Sequence, residues 1–259
     1  MWRKAADGPT MSTSVKPFFQ TLCADARDEG AYQKLLGPRR ADVLLSDPPY
    51  CLLTRRRKGG DLREPKGRKL DHDIVVRFED VRAYKDFTAR WLPLAIAHLK
   101  PSAPVILWTN FLGKEPLLSV AKSCGYGHLW GEYVWAKRTR AGRGNEELLR
   151  VYEVALVLHK QPLPPVLPND APRCWSVVAG YDDEGQGSAL GAHPHHKPLG
   201  VLEPLLRAYS RPGELVLDPF AGSGSIPAAA LMLERNAACL ERDPEWAQRV
   251  QERLTSSKS

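Results

Sequence analysis

The sequence lacks long hydrophobic runs and the cysteine patterns typical of secreted or zinc-binding proteins. No apolar stretch approaches the roughly 20 residues that a membrane-spanning helix requires. The first residues, MWRKAADGPTMSTS, contain no apolar segment of a secretory signal. The five cysteines are scattered and form no CxxC pair, which argues against a disulfide framework and a zinc site. We therefore expect a cytoplasmic protein with no membrane partner.

Positive charge is the main bias of the composition. Lysine and arginine number 37 against 30 aspartates and glutamates, which gives a formal net charge of +7 over 259 residues. Such an excess favours a polyanionic partner. The length suits one large α/β domain with a full core. We expect a flexible tail over residues 1–16 and a single domain over residues 17–259.

The segment ADVLLSDPPY, residues 41–50, carries the first chemical signal. Val43–Leu45 is typical of a buried strand, and Pro48 and Pro49 end it because neither can donate a backbone hydrogen bond. Asp47 and Tyr50 then lie at the carboxyl end of a strand, where α/β sheets bind ligands. A planar base could stack on Tyr50 while its amino group bonds to Asp47 and the Pro48 carbonyl. A strand followed by a plain proline turn is the alternative.

A second motif near the C-terminus, DPFAGSGS at residues 218–225, predicts a nucleotide-type turn between a strand and a helix. About twenty residues on, a further strand ends at Glu241, whose carboxylate could bind ribose hydroxyls. NAD and S-adenosylmethionine both use such units. The third glycine of a dinucleotide fingerprint is missing here, and Asp218 would repel phosphate but accept hydrogen bonds from a methionine ammonium. The pattern therefore favours S-adenosylmethionine.

Hydrophobic periodicity predicts alternating helices and strands around these motifs. We expect an antiparallel strand pair and two proline-containing helices, kinked at Pro93 and bent or delayed at Pro204. The predicted strands are Pro104–Trp108, Tyr133–Trp135, Val154–Leu158, Gly213–Leu217 and Ala237–Leu240, and the predicted helices are residues 80–99, Lys114–Cys124, Leu199–Tyr209, Ile226–Glu234 and Glu245–Leu254.

Together, DPPY and DPFAGSGS resemble the S-adenosylmethionine-dependent DNA amino-methyltransferases, which modify adenine N6 or cytosine N4. The order, with DPPY first, resembles the β-class permutation of that family. His193–Pro198, HPHHKP, is similar to the family's HPxxKP element, and YVWAK (133–137) and YEVALVLHK (152–160) resemble its W-x-K and strand elements. The histidines of HPHHKP have no cysteine or carboxylate neighbours in sequence, so we expect no metal site.

The resemblance implies an α/β, Rossmann-like S-adenosylmethionine-dependent methyltransferase fold. Its mixed, mainly parallel seven-stranded sheet is flanked by helices and has a circularly permuted motif order. It also implies that Asp47, Pro48, Pro49 and Tyr50 are catalytic. By the same resemblance, the cofactor-binding residues are Asp25, Ala26, Asp47, His196, Lys197, Pro198, Asp218, Pro219, Phe220, Ala221, Gly222, Ser223, Gly224, Glu241 and Arg242.

Two basic, glycine-bearing segments are candidates for contact with double-stranded DNA. The first is a loop over residues 51–78, and the second begins the short region 138–192 in which such enzymes place target recognition. The predicted DNA-binding residues are Arg55, Arg56, Arg57, Lys58, Arg63, Lys66, Arg68, Lys69, Arg138, Arg140 and Arg143. Because the recognition region is short, we expect two subunits of a homodimer to recognise the target site together. A restriction endonuclease partner stays open.

The expected reaction is methylation of adenine N6 in a flipped-out base. Adenine is preferred to cytosine N4 because the resemblance associates DPPY mostly with adenine and SPPY with cytosine. The sequence is also compatible with an RNA methyltransferase, a catalytically silent DNA-binding module or a nicotinamide-dependent dehydrogenase.

Overall fold

A mixed eight-stranded sheet forms the centre of the molecule. The computed structural model describes residues 16–54, 76–136, 152–161, 177–179 and 197–256. The strand order is β1-β8-β7-β2-β3-β5-β4-β6, and only the contacts of β5 with β3 and β4 are antiparallel. The strands are β1 Phe19–Cys23, β2 Val43–Ser46, β3 Val105–Thr109, β4 His128–Ala136, β5 Tyr152–His159, β6 Val177–Ala179, β7 Leu215–Asp218 and β8 Asn236–Glu241.

Helices cover both faces of the sheet. They are α1 Glu29–Leu36, α2 Val81–Ala97, α3 Lys114–Ser123, α4 Leu199–Tyr209, α5 Ser225–Met232 and α6 Pro244–Ser256. Alternate residues of each strand point to opposite faces, so Leu44 packs with α1, α2 and α3 while Val43 and Leu45 pack with α4, α5 and α6. Since both faces are covered, β2 is buried along its whole length, as its continuous apolar sequence requires.

Side chains and prolines define the helix starts. Asp28 and Asp80 cap α1 and α2 by accepting hydrogen bonds from the amides of Gly30 (2.9 Å) and Ala83 (2.8 Å). The last helix before the glycine turn, α4, begins directly after Pro198 and continues through Pro204. The burial of its apolar face stabilises α4 by more than the loss of the one backbone hydrogen bond that Pro204 cannot donate.

The topology brings four strand ends to one edge. Strands β1, β8, β7 and β2 are parallel neighbours, so their carboxyl ends lie side by side. From β7 the chain continues to β8 on one side, and from β2 it continues to β3 on the other. The crevice between β7 and β2 is therefore the switch point at which open α/β sheets bind ligands.

The predicted fold class is confirmed, with one addition. The helices and strands expected from periodicity are present, and β4 and β5 form the expected antiparallel pair. The three-residue strand β6 extends the predicted seven-stranded sheet at its edge. No helix in the described part of the chain is both long and apolar enough to cross a membrane. Most of the predicted tail 1–16, the loop residues 55–75 and most of the region 138–192 lie outside the described residues.

Candidate active site

A cavity of about 740 Å³ lies over the carboxyl ends of the parallel strands. An acidic residue lies at or just beyond the carboxyl end of each of four strands: Asp25 after β1, Asp47 after β2, Asp218 at the end of β7 and Glu241 at the end of β8. The cavity brings together most of the predicted site residues, namely Asp25, Ala26, Asp47, Pro48, Pro49, Tyr50, Lys197, Pro219, Phe220, Ala221, Gly222, Ser223, Glu241 and Arg242.

Three other predicted residues lie behind the cavity wall rather than on it: Pro198, Asp218 and Gly224. The Asp218 side chain is 1% exposed, and its Oδ1 accepts hydrogen bonds from Ser46 Oγ (2.6 Å) and the Phe220 amide (3.1 Å). Burial raises the pKa of Asp218 to about 7. The carboxyl thus ties β2 to the start of the glycine turn. His196 and all eleven predicted DNA-binding residues lie outside the described residues.

The glycine turn has the backbone that its sequence predicts. Gly222 and Gly224 have φ angles of 52° and 76°, in the left-handed region that side chains rarely adopt. A hydrogen bond of 2.8 Å from the Arg253 guanidinium of α6 to the Ser223 carbonyl holds the turn from behind. Among the described residues, no side chain caps the start of α5.

Glu241 and Asp25 are the acidic residues on the β8 and β1 side of the cavity. Glu241 accepts hydrogen bonds from the backbone amides of Gly222 (2.8 Å) and Asp243 (2.9 Å), which fixes its carboxylate beside the glycine turn. Burial raises its pKa. Asp25 is bound twice by the Arg27 guanidinium, at 2.6 and 2.9 Å, and this contact lowers the pKa of Asp25. Asp25 is therefore a charged acceptor at neutral pH.

Asp47 belongs to a buried cluster at the other end of the cavity. The Lys197 ammonium lies 2.5 Å from Asp47 Oδ2, 2.9 Å from Glu153 Oε2 and 3.1 Å from the Tyr50 hydroxyl. That hydroxyl donates to Glu153 Oε2 at 2.8 Å. Within the described residues, Asp47 Oδ1 is buried and has no hydrogen-bond partner. A buried acceptor without a partner can take a hydrogen bond from a bound donor.

Burial determines the electrostatics of the cluster. It raises the pKa of Asp47, and the negative charge of Glu153 raises it further, against the opposing effect of Lys197. Burial alone would lower the pKa of Lys197, but the two carboxylates outweigh it and raise that pKa. Burial also raises the pKa of Tyr50, with Asp47 and Glu153 adding to the effect. At neutral pH Lys197 is therefore charged, Tyr50 is neutral and Asp47 is a stronger base than an exposed aspartate.

Local sequence patterns reveal neither Glu153 nor one wall of the cavity. The available signal for Glu153 was a lone acidic residue beside the apolar run of β5. Helix α2 contributes Ala83, Asp86, Phe87 and Arg90, whose spacing of three to four residues marks one helix face. Further wall residues that the sequence did not reveal include Leu52, Val76, Phe78 and Trp246.

Described residues that flank the two basic segments lie beside this site. Before the first one, the Thr54 amide donates to the Phe78 carbonyl, and the Phe78 amide donates to the Leu52 carbonyl, both at 2.8 Å. The described residues on either side of 55–75 therefore pair with each other at the cavity wall. The segment 137–151 joins β4 to β5, where Ala136 pairs with Tyr152, next to Glu153.

Known proteins share both the sequence pattern and the fold. The profile of the DNA methylase family N6_N4_Mtase matches residues 41–252. The type II methyltransferase M2.LlaDCHI of Lactococcus lactis subsp. cremoris is 23% identical over 269 residues, which cover 93% of this chain and 92% of that protein.

Two solved structures have the same fold. The M1.HpyAVI–SAM complex superposes with a TM-score of 0.67 at 20% identity, covering 92% of this chain and 99% of that one. The cytosine-N4-specific PvuII DNA methyltransferase superposes with a TM-score of 0.66 at 17% identity and 94% coverage of both chains. The fold is thus that of these methyltransferases. Since the family profile spans most of the sequence, the chain belongs to the N6/N4 DNA methylase family and is a DNA methyltransferase.

Proposed function

We propose that this protein transfers a methyl group from S-adenosylmethionine to the exocyclic N6 of an adenine flipped out of double-stranded DNA. The observation that carries the proposal is the free, buried Asp47 Oδ1 beside the Tyr50 ring at one end of the cavity. An amino group presented there would donate its hydrogen bond to Oδ1. A base inside a duplex cannot reach such a position, so the proposal includes base flipping.

The chain's residues fit the cofactor of the family. S-adenosylmethionine, which is present in the M1.HpyAVI–SAM complex, supplies an electrophilic methyl group on a sulfonium sulfur. The cavity has the volume of a small-molecule site, which is roughly 300–1,000 Å³. We assign Asp25 and Ala26 to the adenine of the cofactor and Glu241 to its ribose. The turn from Pro219 to Ser223 would face its methionine portion.

Asp47 and Tyr50 carry the chemistry toward the target. The amino nitrogen of adenine is a weak nucleophile because its lone pair is conjugated with the ring. Hydrogen bonds to Asp47 Oδ1 and the Pro48 carbonyl would localise that lone pair, and the carboxylate would stabilise the positive charge that develops on nitrogen. Asp47 Oδ1 is then the nearest acceptor for the proton that the methylated nitrogen loses. Its raised pKa suits this role.

The choice of adenine rests on the residue at the start of DPPY. Aspartate at this position is associated mostly with adenine in the family that the motif resembles. The likeness to the cytosine-N4-specific PvuII enzyme keeps cytosine N4 as the alternative, because the two known folds superpose on this chain almost equally well.

We further propose that the basic segments contact DNA phosphates. The described residues that flank the first segment, Leu52 and Phe78, line the cavity, and those that flank the second, Ala136 and Tyr152, pair next to Glu153. A homodimer that shares target recognition stays a prediction.

Methyl transfer to unmethylated duplex DNA tests the proposal. We expect Asp47→Asn to lower the rate of a single turnover by about 10²–10³-fold, the usual loss when one oriented partner of a developing charge is removed. The matched control is Glu132→Gln on β4, because Glu132 pairs with Lys114 at 2.5 Å and does not line the cavity. An Asp47→Asn enzyme as active as the control would contradict the proposed role of Asp47.

A further inference from the structure

Lys197 uses its full hydrogen-bonding capacity inside the protein. An ammonium group has three N–H donors, and Lys197 has acceptors for all three in Asp47 Oδ2, Glu153 Oε2 and the Tyr50 hydroxyl. Its side chain is 4% exposed. No donor is left for a substrate or a cofactor unless one of these bonds breaks. The ammonium of Lys197 therefore binds side chains of the protein rather than a substrate or a cofactor.

Aromatic rings surround the same ammonium. It lies 5.0 Å from the ring centre of Trp108, 5.5 Å from that of Tyr50 and 6.0 Å from that of Trp135. Contacts of this kind stabilise a cation while keeping water away from it. The three acceptors and the three aromatic rings together fix the position of the Lys197 side chain.

The cluster fixes both groups that face the target base. Lys197 holds one oxygen of Asp47, which fixes the rotation of the carboxylate and leaves the other oxygen, Oδ1, without a partner among the described residues. The Tyr50 hydroxyl accepts from Lys197 and donates to Glu153, which fixes the orientation of the ring on which a base would stack. Glu153 lies on β5 and Lys197 precedes α4, so both come from elements other than the DPPY strand.

We propose that Lys197 and Glu153 are positioning residues that hold Asp47 and Tyr50 in the geometry required for methyl transfer. Glu153 supplies the second negative charge that keeps the Lys197 ammonium in this position. The inference rests on the proposed function, since it assigns the role of the cluster within that reaction.

Stability alone does not account for the cluster. Burying one cation and two carboxylates costs desolvation energy, and apolar side chains of similar size are often equally or more stabilising in such places. The cluster also borders the cavity, since Lys197, Asp47 and Tyr50 all line it. A geometric requirement of the reaction explains both features.

The main test compares Glu153→Gln with Glu132→Gln. Glutamine keeps the size of Glu153 and an acceptor for Tyr50 but removes the charge that holds Lys197. We expect single-turnover methyl transfer to fall by about 100-fold, as small displacements of reacting groups commonly do. The dissociation constant for S-adenosylmethionine and the melting temperature should match those of Glu132→Gln. A loss of less than about tenfold, or one that saturating cofactor restores, would overturn the proposal.

A second measurement does not depend on activity. A buried ammonium with three hydrogen bonds exchanges its protons slowly and gives a ¹H–¹⁵N signal in lysine-labelled protein. We expect one such signal that disappears in Lys197→Arg, shifts in Glu153→Gln and stays unmoved in Glu132→Gln. Absence of the signal, or an unchanged signal in Glu153→Gln, would overturn the positioning role. If the wild-type enzyme methylates neither adenine nor cytosine while the signal behaves as expected, only the proposed function fails.

Discussion

Replacing Gly224 by alanine should destabilise the protein and weaken cofactor binding together. Gly224 has a φ angle of 76°, and a Cβ atom there would lie 3.3 Å from both methyl groups of Val250 in α6. The left-handed backbone costs a residue other than glycine about 1–2 kcal/mol. In a chain of this size, that corresponds to a drop in melting temperature of roughly 2–8 °C. Displacement of Val250 would add to this loss and shift the turn that faces the cofactor.

Gly213 offers a matched control at the opposite end of β7. Its φ angle is 83°, but nothing lies within 4 Å of a Cβ atom added there. Gly213→Ala should therefore lower the melting temperature by a similar amount without changing the affinity for S-adenosylmethionine. Calorimetry of unfolding and of cofactor binding measures both quantities. The reasoning is refuted if Gly224→Ala binds the cofactor like the wild type, or if Gly213→Ala weakens binding as much.

Three further predictions follow from the site. Burial raises the pKa of Asp218 from 3.8 to about 7, so this carboxyl lowers stability as pH rises through that window, because the unfolded chain ionises first. Between pH 4 and 7, the free energy of unfolding of Asp218→Asn should therefore rise relative to that of the wild type by up to about 4 kcal/mol. A difference in melting temperature between the two proteins that stays constant across that pH range would contradict this. Changing Arg55, Arg56 and Arg57 to glutamine should reduce the slope of log affinity for DNA against log salt by up to about 3, and an unchanged slope would exclude phosphate contacts by these residues. Tyr50→Ala should cost roughly 1–3 kcal/mol of target binding through lost stacking. Tyr50→Phe keeps the ring but loses the hydroxyl contacts with Lys197 and Glu153, so it should weaken DNA binding less than Tyr50→Ala while slowing methyl transfer. Equal losses of DNA affinity in the two variants would argue against stacking.

The order of elements and the position of the site were accessible from the sequence. Apolar runs that end in Asp47, Asp218 and Glu241 predict strands with acidic residues at their carboxyl ends, and the structure has that arrangement. Gly222 and Gly224 predict a turn with positive φ angles, which both residues adopt. Such features depend on a few neighbouring residues, so local patterns are sufficient to reveal them.

The partners of Asp47 depend on tertiary structure and were not accessible in the same way. Glu153 and Lys197 are 44 residues apart, and they meet because β5 pairs with β3 and the chain before α4 packs beside them. Sequence spacing does not predict that contact. The helix through Pro204 shows the same limit, since local propensity favours a break that burial in the second core overrides.

Product analysis after methyl transfer tests the central claim most directly. Wild-type protein, S-adenosylmethionine carrying a labelled methyl group and unmethylated DNA are incubated, and the DNA is digested to nucleosides for mass analysis. We expect labelled N6-methyladenine that is strongly reduced with Asp47→Asn. Labelled N4-methylcytosine would make cytosine the target in place of adenine, and absence of label in DNA despite demonstrated cofactor binding would contradict the account.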